Sequence, residues 1–330
     1  MPANATFAVP CRDAGPHLRP LLESLLAQTR QDFDLLLVDD ASTDGSAELA
    51  RSIAGARVRV VRNERPLGLA GNFARCVELT ATPFVCLAHQ DDVYEPGYLE
   101  ALFDALQARP DAAFAHCPAR AVDADGRVVD SAAERHKVRR CARAANADRR
   151  ALYALLFRGN FVCCPSVLFR TDALRAAGGF DARWHYALDW ELWFRLLRAS
   201  HSFATVTRPL LRYRRHDAAA SRARTRDLSR FREEVEVLAQ ARELGVAAGL
   251  LDAGARSTAV RNNALHEACD DLHRGDRAAA AAKIAFVRAL PGFSRDPWLC
   301  AFAAMARLGA PGRTALTAGR ALAVRLGLGG

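Results

Sequence analysis

Through the first 110 residues, short apolar runs alternate with amphipathic stretches of helical length, the pattern of βαβ units and a mostly parallel sheet. Strands are expected at residues 6–9, 34–38, 58–62 and 84–88, and helices at 16–28, 46–53, 69–80 and 97–108. The helix from Ser46 follows Thr43-Asp44-Gly45, a turn rich in capping residues. Beyond residue 110 the pattern is mixed, with extended segments at 112–116, 165–170 and 210–215 and a tryptophan-rich helix over 189–198. From about residue 225, helices rich in alanine, leucine and arginine follow one another, with breaks near Gly245, Gly254, Gly275 and Pro291. The expected organisation is an α/β domain over 1–222, in halves 1–110 and 111–222, and a helical C-terminal region over 223–330.

With 330 residues, 51% of them hydrophobic, the chain can build a large core. No apolar run approaches the roughly 20 residues that span a bilayer, and the start lacks a basic segment followed by an apolar one. Nine cysteines, an odd number in no metal-like spacing, do not describe a disulfide framework. A reducing, cytoplasmic setting is therefore expected, with peripheral contact at the inner face of a membrane as a variant of it. The net charge of +9 is carried mostly by arginine, densest over 135–150 and 208–230. Such density suits a diphosphate, an anionic membrane or nucleic acid; the alternative is a surface that is simply basic. Residues 313–328 are apolar on one side and basic on the other, which fits either a membrane-surface helix or an ordinary packed one. The helical region also offers a surface for a homodimer.

Each expected strand runs into polar residues at its C-terminal end: Cys11-Arg12-Asp13, Asp39-Asp40, Arg62-Asn63-Glu64 and His89-Gln90-Asp91-Asp92. Open α/β sheets bind ligands at that edge, so residues distant in sequence converge on one crevice. Two pairs of adjacent acids stand there, each after a run that should be buried. Buried carboxylates need a cation or hydrogen-bond donors to stay charged. Oxygen ligands of this kind suit Mg²⁺ or Mn²⁺, which borrow further oxygens from substrate phosphates. Capping of the next helix is the competing role for the first pair and its neighbours, and Ser42 and Asp44 suit it.

Ala8-Val9-Pro10, Leu22-Glu23-Ser24-Leu25-Leu26-Ala27-Gln28-Thr29 and Phe33-Asp34-Leu35-Leu36-Leu37-Val38-Asp39-Asp40-Ala41-Ser42-Thr43-Asp44-Gly45-Ser46 resemble the opening of family 2 glycosyltransferases. Asn63 with Gly68-Leu69-Ala70-Gly71-Asn72 is similar to the family's Asn and Gly-rich helix start. His89-Gln90-Asp91-Asp92 within Val85 to Pro96 resembles its metal-binding segment. Ser166 to Arg170, Gly178-Gly179-Phe180-Asp181 and Leu188-Asp189-Trp190-Glu191-Leu192-Trp193 resemble the region of its catalytic acid, and Arg212-Tyr213-Arg214-Arg215-His216 resembles its Tyr-Arg-x-His run. The likeness covers residues 5–216 with the motifs in the family's order.

The resemblance implies a GT-A fold with a nucleotide-binding first half and an acceptor-binding second half. It also implies a nucleotide-sugar donor, a divalent metal (Mn²⁺ or Mg²⁺) and inversion at the anomeric carbon. Pro10, Asp39 and Asp40 then contact the nucleoside, and Asn63, Gly68, Asn72, His89, Gln90 and Arg214 belong to the donor site. Asp91, Asp92 and His216 are the implied metal ligands, and Asp189 is the implied general base. One departure stands out: the family's Asp-x-Asp motif opens with an acid, and here that place is His89, which removes a negative charge. A UDP-sugar donor and a glycan or lipid-linked acceptor are the implied partners, in bacterial surface polysaccharide or glycan assembly.

Among other classes, a nicotinamide enzyme is excluded because Cys11-Arg12-Asp13-Ala14-Gly15-Pro16 is no Gly-x-Gly-x-x-Gly turn. A nucleotidyltransferase would carry a Gly-rich loop and a lysine near that turn. A basic nucleic-acid-binding protein leaves the acid pairs unexplained and lacks the aromatic-basic motifs of known modules; no nucleic-acid partner is expected.

Overall fold

The computed structural model describes residues 3–130, 132–199, 201–215 and 225–293. Strands β1 (Ala5–Cys11), β2 (Phe33–Asp39), β3 (Val58–Arg62) and β4 (Phe84–Leu87) lie parallel, connected by helices α1 (Leu18–Leu26), α2 (Ser46–Ala54) and α3 (Gly68–Leu79). All seven occur where the hydrophobic pattern expects them. In α1, the apolar positions Leu18, Leu21, Leu22 and Leu25 recur at i, i+3, i+4 and i+7, and all four are fully buried against the sheet. Each such leucine contributes roughly 1.5–3 kcal/mol of burial. β1 is covered on both faces, which is why its Phe7-Ala8-Val9 reads as a continuous apolar run.

After β4 come β5 (Val93–Tyr94), α4 (Tyr98–Ala108), β6 (Ala112–His116), β7 (Ala119–Val122), α5 (Ala132–Ala144) and α6 (Arg149–Phe157). Then follow β8 (Val167–Arg170), α7 (Thr171–Ala176), α8 (Leu188–Arg198), β9 (Ser202–Thr205) and β10 (Leu211–Arg214). The larger sheet has the order β3-β2-β1-β4-β8-β6-β9, with β8 antiparallel to both of its neighbours. A smaller sheet has the order β5-β10-β7. Its central strand, β10, pairs antiparallel with β5, which follows the β4 loop, and parallel with β7.

The two tryptophans of α8 and Trp184 are buried. Trp193 packs on Phe114 (centroids 4.7 Å apart) and Phe169 (5.7 Å), and Phe114 stacks on Phe203 at 4.8 Å. Trp193 is therefore a residue of the core.

The described residues divide into two compact units, drawn from Met1–Leu156, Asn160–Asp217 and Gly245–Leu251 in one case and from Phe157–Gly159, Ala218–Leu244 and Asp252–Gly330 in the other. The second is helical. Helices Ala259–Arg274 and Arg277–Ala289 form a hairpin that turns at Gly275, whose φ of +85° suits glycine. Asp276 caps the second helix through the Ala279 N–H, and buried Lys283 pairs with Asp271 at 2.5 Å. Among the described residues no helix is long and apolar enough to cross a membrane. Residues 313–328 and His216 lie outside the described residues.

Candidate active site

Parallel register brings the strand ends level: Cys11 lies opposite Asp39, and Asp39 opposite Arg62. Asp39 is fully buried at the end of β2. One of its oxygens accepts from the Ser42 N–H (3.0 Å) and the other pairs with the Arg62 guanidinium (2.6 Å), which also donates to the Ser42 carbonyl. Asp40 is tied differently. Its carboxylate accepts from Asn63 Nδ2 (2.9 Å) and from the backbone N–H groups of Leu67 (2.7 Å) and Gly68 (3.0 Å), at the start of α3. A remote acid thus caps that helix, where unpaired N–H groups and the helix dipole favour negative charge. Gly68 has φ +75°, a conformation that a side chain would strain. Asn72 donates to the Val38 carbonyl and accepts from Asn63, so Asp40, Asn63 and Asn72 form one buried network beneath the crevice.

Two non-glycine residues at this edge have left-handed backbone, Asp13 (φ +45°) and Ala41 (φ +60°), at a cost of roughly 1–2 kcal/mol each. Hydrogen bonds hold them: Asp13 accepts from the Thr43 N–H at 2.7 Å, and its own N–H donates to Ser42 Oγ at 3.0 Å. Pro10 is half-buried in β1, opposite Val38.

The loop after β4 carries His89, Asp91 and Asp92, whose ligand atoms lie within 4.8 Å of one another. Asp92 is fully buried; one oxygen accepts from the Arg214 N–H at 3.0 Å, while Oδ2 has no hydrogen-bond partner among the described residues. Burial first, and then the charge of Asp91, pushes the Asp92 carboxyl well above the ordinary carboxylate range, against the pull of Arg214. Burial also lowers His89, with Asp91 opposing, so the imidazole is neutral at pH 7 and able to ligate. Its Nε2 is likewise buried without a partner among the described residues. A buried acid beside a half-buried one, a neutral imidazole and two orphaned polar atoms fit a divalent cation; without one, burial and the neighbouring charge drive Asp92 to take up a proton.

Gln90 and Arg214 play roles that spacing does not reveal. The Gln90 amide accepts from the Arg12 N–H (2.7 Å) and donates to the Arg12 carbonyl (3.0 Å), clamping this loop to the end of β1. The Arg214 guanidinium donates to the carbonyls of Asp91, Asp123 and Ala124. It therefore braces the acid loop from β10.

Asp189 stands in the first turn of α8. Its Oδ1 accepts from the Trp190 N–H (2.6 Å) and its Oδ2 from Asn160 Nδ2 (3.1 Å), and Asn160 in turn accepts from the Val162 N–H. Glu191, two residues on, is engaged instead by Arg195 at 2.6 Å. The register of β8 on β4, with Cys86 opposite Leu168, carries the residues before β8 up to the level of the His89 loop. Cys164 lies on that segment, and its thiol is raised by burial and by the charges of both Asp189 and Asp92. Asp189 and Asp92 therefore both lie near Cys164 in the first unit. Arg62, Asn160 and Cys164 escaped sequence reasoning; only Arg62, standing at a strand end, carried a signal.

The profile of the family described as Glycosyl transferase family 2 matches residues 6–177, more than half of the chain. The chain belongs to glycosyltransferase family 2. An amylovoran biosynthesis glycosyltransferase of Erwinia amylovora is 26% identical over 215 residues, 63% of this chain and 68% of that one. Among solved structures, Staphylococcus aureus TarS residues 1–349 in complex with UDP-GlcNAc superposes with a TM-score of 0.56 at 16% identity, over 74% of this chain and 66% of the other. The mannosyltransferase PcManGT of Pyrobaculum calidifontis, in complex with GDP-Man and Mn²⁺, gives 0.56 at 17% identity over 96% and 84%. At such identities the likeness carries the fold. This family 2 glycosyltransferase accordingly has the GT-A arrangement, a mostly parallel α/β sheet, followed by C-terminal helices.

Proposed function

We propose that this glycosyltransferase moves a sugar from a UDP-sugar to a hydroxyl of a glycan or lipid-linked acceptor with inversion, within surface polysaccharide or glycan assembly. The observation that carries the reading is the approach of Asp189 and the His89, Asp91 and Asp92 cluster to one segment, at Cys164. The amylovoran relative supports the polysaccharide setting. The complexes of TarS and PcManGT with nucleotide sugars support the donor class.

In this reading Asp189 takes the proton of the acceptor hydroxyl as its oxygen forms a bond to the anomeric carbon. The bond from that carbon to the diphosphate oxygen breaks on the opposite face, and nucleoside diphosphate leaves with the electron pair. Single displacement from the opposite face inverts the centre. Asn160 and the Trp190 N–H fix the orientation of the carboxylate. Asp39, braced by Arg62, forms the floor beside Pro10 where a nucleoside edge would rest, and the network of Asp40, Asn63 and Asn72 sets the start of α3. His89, Asp91 and Asp92 would hold Mn²⁺ or Mg²⁺, which when bound supplies positive charge to the diphosphate. The complex of PcManGT with Mn²⁺ supports Mn²⁺ as the first choice. His216, outside the described residues, is proposed as a further ligand.

A donor screen that measures released diphosphate tests this. Release is expected with one UDP-sugar and Mn²⁺, and a fall to background with EDTA. Release that is unaffected by EDTA removes the metal from the scheme, and absence of release from every nucleotide sugar in the presence of acceptor lipids and glycans rejects the scheme altogether.

A further inference from the structure

Helix α5 carries five basic residues, Arg135, Lys137, Arg139, Arg140 and Arg143, against one acid, Glu134. Their placement is not uniform. At 100° per residue, Arg135, Arg139 and Arg143 fall on one line along the helix, with Val138 and Ala142 beside it. All five are exposed, Val138 at 38%. The opposite side, with Cys141 and Ala144, is buried. No acid stands on the exposed arc. Arg135 has a surface partner in Asp130, while Arg139 and Arg143 have no carboxylate partner among the described residues. On the flank of this arc, His136 is pushed down to about 4 by burial and by the charges of Arg140, Arg139 and Arg143. Its buried Nε2 has no partner among the described residues. Three guanidinium groups crowd one stripe and repel one another with no internal counter-charge on the exposed arc.

We propose that this face of α5 docks the enzyme on a bilayer surface containing anionic phospholipids. From Arg135 to Arg143 the charges extend about 12 Å along the helix, more than one phosphate can engage, and they flank an exposed valine. A plane of many anionic headgroups matches that layout. The N-terminal end of the same helix reaches the site: Glu134 approaches Arg215 at 3.9 Å, next to Arg214, and the Cys163 thiol is within reach of the charges of Asp92, Lys137 and Glu134. Docking here would therefore set the acceptor side of the site near the lipid surface. The docking is independent of the reaction proposed above; only its use, bringing a lipid-linked acceptor to Asp189, rests on that reading.

The test is sedimentation of the full chain with vesicles of phosphatidylcholine alone or with 30% phosphatidylglycerol, at about 0.1 M salt, where exposed charges still act over about 10 Å. Binding is expected only with the anionic lipid. Each basic residue near such a surface contributes about a factor of five, so Arg139→Ala with Arg143→Ala should weaken partition by roughly 30-fold. Arg139→Lys with Arg143→Lys should retain it, and Arg51→Ala with Arg59→Ala should lower it by less than about threefold. Equal loss in the two alanine pairs, unchanged partition in the α5 pair, or equal binding to neutral vesicles overturns the proposal. So does retention of inorganic pyrophosphate without vesicle binding, which would assign the face to a soluble anion. Because the readout is lipid binding, an inactive transferase would not mimic failure.

Discussion

Asp189→Asn is expected to lower kcat by about 10²- to 10⁴-fold, the usual range for loss of a general base, while UDP affinity changes by less than about threefold. The amide has the shape of the carboxylate and can keep the hydrogen bond from the Trp190 N–H through its oxygen. What it lacks is a lone pair basic enough to take a proton. Steady-state kinetics and calorimetric titration with UDP on the same preparation separate the two quantities. A kcat within tenfold of wild type would remove Asp189 from the chemistry. A matching collapse of UDP affinity would make it a structural residue of α8.

Asp91→Ala is expected to act on the other side of the reaction. Mn²⁺ affinity should fall by about 100-fold or more, and kcat/KM by at least as much, because a charged ligand is lost from a small donor set. The fold should survive. Arg214 binds the backbone carbonyl of Asp91, which the variant retains, and removal of the Asp91 charge takes away the repulsion that adds to burial in raising Asp92. Titration of free Mn²⁺ by electron paramagnetic resonance reads the affinity directly, and thermal melting checks the fold. Unchanged Mn²⁺ binding in a folded variant would place the cation elsewhere.

Much of the first half was legible because its signals are local. The periodicity of Leu18, Leu21, Leu22 and Leu25 specifies α1 without reference to any other residue, and the apolar runs before Asp39 and His89 specify two central strands. The order of polar strand ends then sufficed to place the acids on one edge. By contrast, β5, β7 and β9 are two to four residues long and too short to show alternation. Helix α5 is dominated by arginine, so its apolar contacts are too few to set a period. The supports of the site were illegible for a different reason: they are contacts over long sequence separations. Asp92 meets Arg214, Gln90 meets Arg12 and Asp189 meets Asn160, and none of these pairs shares an element. Sequence placed Gln90 and Arg214 at the donor; it did not reveal that Gln90 joins two loops and that Arg214 braces three carbonyls. His89 shows the opposite case. Its oddness was visible in the motif, and its buried Nε2, without a partner among the described residues, gives that oddness a chemical use.

The most direct measurement is anomalous diffraction at the manganese edge from crystals grown with Mn²⁺ and a UDP-sugar. The expected map has a single strong peak at His89, Asp91 and Asp92 in contact with the diphosphate, with the Asp189 carboxylate facing the anomeric carbon from the opposite side. A peak at other side chains, or a donor whose anomeric carbon lies beyond reach of an acceptor oxygen bound to Asp189, would contradict the account.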